Sequence, residues 1–130
     1  MPGPEMVSED RRRYTVEEAN LLLPELRASL ERIRASRQVV LAGGQRVRRS
    51  AALNGGGTPG REYWQALGTL RHEVEDLSER DIILRDPETG LLDFPALRDG
   101  EEIFLCWLPE EERVGFWHRT TTGFAGRLPL

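Results

Sequence analysis

The fold is decided by residues 91–119, LLDFPALRDGEEIFLCWLPEEERVGFWHR. Apolar and polar residues alternate along this stretch, which is typical of strands that bury one face. Asp99-Gly100 is a strong signal for a two-residue hairpin turn. A turn at that position sets the register of the two strands and predicts Asp93 opposite Cys106.

Working outward, the same patterns predict one strand on each side of this hairpin. A strand over 82–85 is followed by a hairpin loop at 86–90, where proline and glycine favour a tight turn. A further turn at 109–112 leads into a strand over 113–119. The prediction is a four-stranded antiparallel meander over 81–119.

The last hairpin decides which side chains share a face. We expect it to pair Cys106 with Gly115, which puts His118 at the edge of the face that forms the core. The opposite face is then mixed in character and needs a cover or a partner. It carries, among others, Asp93, Cys106, Arg113 and Trp117.

The residues before the sheet predict a helical hairpin over 14–80. Thr15 and Glu18 have the spacing of a capping box at the start of the first helix. Pro24 predicts a short helix over 16–23 and then a bend, because proline lacks an amide hydrogen and clashes with the preceding turn.

The longer helix that follows carries a seam of apolar residues at steps of four and three. Gly43 and Gly44 interrupt the seam and indicate a weak point, a close helix crossing or the end of the helix. Thr58 and Pro59 are a plausible cap and first turn for the returning helix. Aligning the two seams places Val47 opposite Tyr63.

The predicted organisation is a single α+β domain. Residues 1–13 form a lead that we expect to be poorly ordered. The helical hairpin occupies 14–80 and packs on the antiparallel sheet of 81–119. The tail, residues 120–130, could fold back across the mixed face.

Composition excludes several functional classes. The net charge is −4, and all 18 basic residues are arginine, so Schiff-base chemistry by lysine is not possible. The negative charge argues against general affinity for nucleic acid. A single cysteine excludes an intramolecular disulfide and favours a cytoplasmic location. No apolar run approaches the roughly 18 residues that span a bilayer, so no membrane contact is expected.

Two sets of residues carry a family resemblance. The first is YTVEEANLLLPEL, residues 14–26. The second consists of Gly90–Pro95, Leu105–Trp107, Trp117-His118 and Gly123–Arg127, in that order. Together they resemble the bacterial domain of unknown function numbered 2203 over residues 14–130. The resemblance implies a compact bacterial cytoplasmic domain, and it brings no activity, cofactor or catalytic residue.

Asp93 is the most informative polar residue. Aspartate is disfavoured inside strands, and a buried carboxylate needs a partner. One interpretation is a structural bridge to an arginine, with Arg85, Arg98, Arg113 and Arg127 as the possible partners. The other is a pocket for a small molecule or an anion. Its predicted lining residues are Asp93, Cys106, Arg113, Trp117 and Arg127.

Cys106 and His118 invite a nucleophile-and-base interpretation. In the predicted register, however, they lie on opposite faces of the sheet and do not touch. The other histidine, His72, lies on a helix, so no set of ligands has the spacing of a metal site. We therefore predict no catalytic residue, no metal and no cofactor.

The tip of the hairpin offers a third hypothesis. Arg46, Arg48, Arg49 and Arg61 cluster beside the glycine-rich loop at 54–60, and a basic tip can contact RNA phosphates. No aromatic residue interleaves with these arginines, so nucleic acid is not the favoured partner. A solvated tip is the simpler interpretation.

The sequence favours a non-enzymatic structural or protein-interaction module over an enzyme. The apolar excess on both sheet faces and along the helices indicates a homo-oligomer, with a dimer as the simplest form. A small-molecule or anion-binding domain is the alternative, and RNA contact through the hairpin tip is the second alternative.

Overall fold

The computed structural model describes residues 11–54 and 58–130. Most of the predicted lead, residues 1–10, and the centre of the glycine loop, residues 55–57, lie outside this part of the chain. The helices are α1 (Val16–Asn54) and α2 (Arg61–Glu79). The strands are β1 (Ile83–Asp86), β2 (Leu91–Arg98), β3 (Glu101–Trp107), β4 (Phe116–Arg119) and β5 (Leu128–Pro129). A short 3₁₀ turn, Phe124–Gly126, precedes β5.

The fold is α+β, with two helices packed on an antiparallel sheet, as predicted. One prediction about the sheet is wrong, because it has five strands, in the order β1-β2-β3-β4-β5, rather than four. The additional strand comes from the tail, where Leu128 pairs with Trp117. The Leu130 N–H also donates to the Gly115 carbonyl at 2.9 Å. The tail therefore adds a strand beside β4 and widens the sheet at that edge.

Helix α1 begins where the capping box predicts. The Glu18 N–H donates to Thr15 Oγ1 at 3.0 Å, and the Thr15 N–H donates to Glu18 Oε1 at 2.9 Å. These reciprocal bonds satisfy amides that have no partner within the helix. Glu17 and Glu18 also place negative charge at the positive end of the helix dipole.

The predicted break at Pro24 is wrong, because α1 runs without interruption for 39 residues with Pro24 inside it. An interior proline costs a helix about 3 kcal/mol. Buried residues on both sides of the proline offset that cost, since Leu23 and Leu26 belong to the same core. The proline itself is exposed, so its ring displaces no neighbouring side chain.

Of the three interpretations of the glycine pair, the structure supports a close helix crossing. Helix α1 continues past Gly43 and Gly44, and a Cβ atom on Gly43 would lie 2.6 Å from Cδ2 of Tyr63. Tyr63 therefore packs on Gly43. The predicted partner of Tyr63 was Val47, which lies about one helical turn further along α1. The cap predicted at Thr58 is also wrong, because Gly60 holds the N-cap position of α2 without a side-chain cap bond.

An ion pair between buried Glu73 and half-exposed Arg32 joins the two helices nearer the sheet. Glu73 on α2 accepts hydrogen bonds from Ser29 Oγ at 2.7 Å and from Arg32 Nε at 2.7 Å. The bond from Arg32 is the main cause of a lowered pKa of Glu73, which keeps this carboxylate charged. Neither helix, within the residues described, has an apolar stretch long enough to cross a membrane.

The central hairpin has the predicted register. Arg98 pairs with Glu101 and Asp93 pairs with Cys106. Asp99 and Gly100 both have positive φ, at 53° and 80°, as a two-residue turn of this kind requires.

The register predicted for the last hairpin is wrong by one residue. Cys106 pairs with Phe116 instead of Gly115, and Phe104 pairs with His118. Because side chains alternate along a strand, a shift of one residue moves every β4 side chain to the opposite face. Trp117 therefore faces the core, where His118 was expected.

The connection between β3 and β4 explains this shift. Residues 108–111 form a turn in which the Glu111 N–H donates to the Leu108 carbonyl at 2.9 Å, and the longer connection through residue 115 is held by α1. Arg27 Nη2 donates to the Glu111 carbonyl at 2.8 Å. The Val114 N–H donates to Asn20 Oδ1 at 2.8 Å. These contacts with a distant helix set the position at which β4 begins.

The core lies between the helices and one face of the sheet. Large side chains dominate it, and each contributes roughly 1.5–3 kcal/mol when fully buried. The helices and the segment before them supply Tyr14, Ala19, Leu23, Leu26, Leu30, Ile33 and Leu77. The sheet and its connections supply Ile82, Leu92, Phe94, Ala96, Ile103, Leu105, Trp107, Val114 and Trp117.

The helix crossing can be tested with a pair of adjacent substitutions. Alanine is favoured over glycine in a helix by about 1 kcal/mol. Gly44→Ala should stabilise the protein by up to about that amount, because the nearest atom to the added methyl group is the flexible Arg48 Nη1 at 3.6 Å. Gly43→Ala should destabilise it, because the methyl group meets the Tyr63 ring. Urea denaturation measures both effects, and equal stabilisation by the two variants would contradict a close crossing.

Candidate functional site

The face of the sheet that points away from the helices, the outer face, carries an unusual polar cluster. Asp93, Cys106 and His118 lie on the adjacent strands β2, β3 and β4, and they meet because Asp93 pairs with Cys106 and Phe104 pairs with His118. All three side chains are buried. This arrangement corrects the prediction that Cys106 and His118 lie on opposite faces.

Asp93 is the centre of the cluster. Its Oδ2 accepts hydrogen bonds from Arg85 Nε at 2.8 Å and from His118 Nε2 at 2.9 Å. Arg85 is one of the four arginines expected as partners for this carboxylate. The other oxygen, Oδ1, is buried and has no hydrogen-bond partner among the described residues. An unsatisfied buried acceptor costs about 1–3 kcal/mol, so the protein's own groups do not fully account for this carboxylate.

Both ring nitrogens of His118 have polar neighbours. Nδ1 lies 2.7 Å from the carbonyl oxygen of Arg119, which can only accept, so this contact suits the tautomer with a hydrogen on Nδ1. Nε2 lies 2.9 Å from the Asp93 carboxylate. The pair is a polar link between β2 and β4 that passes over β3.

Cys106 adds a sulfur atom to this cluster. Its side chain is fully buried, and burial is the main cause that raises the pKa of the thiol to about 12, with the negative charge of Asp93 as a second cause. The residue is therefore a neutral thiol near pH 7 and a poor nucleophile. Arg127 Nη1 lies 3.8 Å from the sulfur.

Arg127 connects the tail to the cluster. It forms an ion pair with Glu111 in the β3–β4 loop, and its guanidinium carbon lies 3.8 Å from the centre of the Phe116 ring. Glu111 also accepts a hydrogen bond from the Leu108 N–H at 2.9 Å. Sequence reasoning missed Glu111, although a carboxylate three residues after Leu108 has the spacing of a side chain that closes a turn.

Two of the predicted ligand-binding residues lie elsewhere. Trp117 is on the core face, paired with Leu105, because of the register shift. Arg113 is exposed in the β3–β4 loop and lines a shallow cleft with Asn20 and Pro24. Of the five predicted residues, the structure brings together Asp93, Cys106 and Arg127.

Five clefts in the described part of the chain lie away from the polar cluster. One of them, of about 440 Å³, lies between α1 and the β1–β2 and β3–β4 loops, near Leu30 and Gly90. None of these five is lined by Asp93, Cys106 or His118, so the buried cluster opens into none of them.

The helical hairpin is the second candidate site. The part beyond the core, which we call the arm, comprises residues 34–54 and 61–72. It exposes Leu41 and Trp64, whose exposed fractions are 50% and 56%. The predicted basic tip is also exposed, and it consists of Arg46, Arg48, Arg49 and Arg61.

These features define a class of protein: an α+β domain whose antiparallel sheet is covered by a helical hairpin on one face and carries a buried Asp–His–Cys cluster on the other. The chain belongs to the family of uncharacterized conserved proteins DUF2203, whose model matches residues 12–130. This match confirms the resemblance seen in the sequence. Comparisons with curated proteins and with solved structures found no match.

The Asp93–His118 link can be measured with a double-mutant cycle. Asp93→Asn and His118→Gln should each lower the free energy of unfolding. The double variant should lose less than the sum, with a coupling of about 0.5–3 kcal/mol, because the residues share one hydrogen bond. The matched control combines His118→Gln with Asp99→Asn in the exposed turn, where the effects should add. Additive losses in the test cycle, measured by urea denaturation, would argue against a direct link.

Proposed function

We propose that this protein is a non-enzymatic structural or protein-interaction module that forms a homodimer through its arm. The observation that carries the proposal is the exposed apolar surface of the arm. Ile33 is the last α1 residue in the core cluster, so more than half of this helix extends past the core. The exposed Leu41 and Trp64 lie on this extension.

Helix geometry places apolar side chains along one side of each helix. Leu41 follows the core residue Leu30 by eleven residues, about three turns, so both lie on the same side of α1. On α2, Trp64, Leu67 and Val74 recur at the i, i+3 and i+10 spacing of one helical stripe. This stripe is only partly covered, since Trp64 and Val74 are both exposed.

The size of this surface is near the lower limit for a specific dimer. The arm is roughly 30 Å long on α1 and roughly 18 Å long on α2, and each helix is roughly 10 Å wide. That footprint is about 480 Å². Specific interfaces bury at least about 500 Å² on each partner, so the arm reaches this size together with its flanking side chains.

The distribution of charge favours an antiparallel pair of arms. Arg46, Arg48 and Arg49 make one end of the hairpin basic. The opposite end of α2 is acidic, with Glu75 and Glu79 both exposed. A two-fold axis across the arms would bring each basic tip near the partner's acidic end, and it would bring Trp64 of one copy towards Val74 of the other.

The other two hypotheses remain predictions. Ligand binding by Asp93, Cys106 and Arg127 rests on their proximity on the outer face. RNA contact rests on the exposed arginines of the tip. In the dimer hypothesis, the same arginines lie near the acidic end of the partner. The cytoplasmic location predicted from the single cysteine also remains a prediction.

Sedimentation velocity over a concentration series of the full chain tests the proposed dimer. Trp64→Glu should weaken self-association at least tenfold, because it places a charge in the centre of an apolar contact. Leu21→Glu is the matched control, since Leu21 is 81% exposed on the same long helix but outside the arm, and it should leave association unchanged. Added salt should weaken the dimer by screening the paired ends.

A wild-type protein that sediments as a monomer up to its solubility limit would overturn the proposal. So would equal weakening by Trp64→Glu and Leu21→Glu. The RNA alternative predicts a different result, which variants of the tip arginines test. A monomer that binds labelled RNA at low salt, and loses this binding when Arg46, Arg48 and Arg49 are replaced by glutamine, would support contact with RNA instead.

A further inference from the structure

We propose that Asp93, Cys106 and His118 bind a divalent transition metal ion of the zinc class. Each residue offers one ligand atom, and these atoms all lie within 4.8 Å of one another. The three side chains are buried and are held by adjacent strands of one sheet. A rigid scaffold of this kind keeps ligand atoms near their binding positions.

The Asp93 carboxylate supplies an independent observation that points to a cation. Its side chain is 2% exposed, and Oδ1 is buried without a hydrogen-bond partner in residues 11–54 and 58–130. Buried carboxylate oxygens are normally satisfied by a donor or by an ion. Arg85 and His118 both reach the other oxygen, Oδ2, so Oδ1 is the acceptor that a metal ion would satisfy.

The surroundings orient the ligands as in known types of metal site. Histidines that bind metals usually donate their second ring N–H to a carbonyl or a carboxylate. His118 Nδ1 bonds to the Arg119 carbonyl at 2.7 Å, which leaves Nε2 directed at the cluster. Arg85 Nε donates a hydrogen bond to Asp93 Oδ2 and so holds the carboxylate in position. On binding, Nε2 would coordinate the metal and give up its hydrogen bond to Oδ2, and Oδ1 would be the carboxylate ligand.

The donor atoms select the class of metal. One thiolate, one imidazole and one carboxylate favour zinc, cobalt or ferrous iron over magnesium and calcium, which prefer oxygen ligands. Three protein ligands leave one position of a tetrahedral ion for another ligand such as water. Tetrahedral zinc holds its donor atoms roughly 3.3–3.8 Å apart, so these side chains need to move by only about 1 Å.

The charges near the cluster are compatible with a divalent cation. The Asp93 carboxylate and a Cys106 thiolate together balance two positive charges. Arg127 is neutralised by its ion pair with Glu111, and the Arg85 side chain is 44% exposed to solvent. The Cys106 thiol has to lose its proton when the metal binds, as cysteine ligands do.

Titration of the tag-free full chain with Co²⁺ alone tests this site. We expect one Co²⁺ per chain, a thiolate-to-cobalt charge-transfer band, and displacement by Zn²⁺ but not by Mg²⁺. Cys106→Ser should abolish the band and weaken binding at least tenfold. His72→Gln is the matched control, because His72 is the other histidine and is exposed on α2, and it should bind as the wild type does.

A second measurement does not depend on a variant that folds. Zn²⁺ should raise the melting temperature of the wild-type protein, since an ion that binds only the folded state stabilises it, and Mg²⁺ should not. The proposal is overturned if less than one Co²⁺ per chain binds at saturation, if the bound Co²⁺ shows no thiolate band, or if His72→Gln abolishes binding.

Discussion

The contact between His118 and Asp93 is the constraint on which the outer half of the structure depends. It joins β4 to β2 across β3, and it exists only in one register of the last hairpin. In that register Trp117 enters the core and Arg127 can reach Cys106 from the tail. A shift of one residue would remove the tryptophan from the core. It would also bury the histidine among apolar side chains without its carboxylate partner, and both changes cost free energy.

The two helices are held together by different contacts near the sheet and further along the hairpin. Near the sheet, buried apolar residues and the Glu73–Arg32 pair hold α1 and α2 together. Further along, the helices rely on each other, and Gly43 lets the Tyr63 ring pack closely on the backbone of α1. A hairpin that extends past its core exposes apolar side chains, as the arm does with Leu41 and Trp64.

Local signals in the sequence predicted the features that depend on local interactions. Asp99-Gly100 predicted the β2–β3 register because a two-residue turn leaves no freedom in the pairing. Thr15 and Glu18 predicted the start of α1 because the capping bonds involve only neighbours. Arg85 was among the partners expected for Asp93, since a buried carboxylate in a strand needs a nearby cation.

The features that were missed depend on distant contacts. Pro24 stays in a continuous helix because the core on both sides outweighs its local cost. The β4 register is set by contacts of the loop with α1, which no turn pattern in residues 108–115 reveals. The strand β5 has two residues, too few for any alternation to be recognised. Asp93, Cys106 and His118 come together only in the observed register of β4, so the sequence did not predict this cluster.

The register of the last hairpin brings His118 onto the outer face, and nuclear Overhauser contacts in the wild-type protein test this register most directly. The His118 and Phe104 ring centres are 5.5 Å apart, so we expect contacts from the His118 ring protons to Phe104 and to the Cys106 side chain. Contacts from the His118 ring to Ile103 and Leu105 instead, with the Trp117 ring next to Cys106, would contradict it.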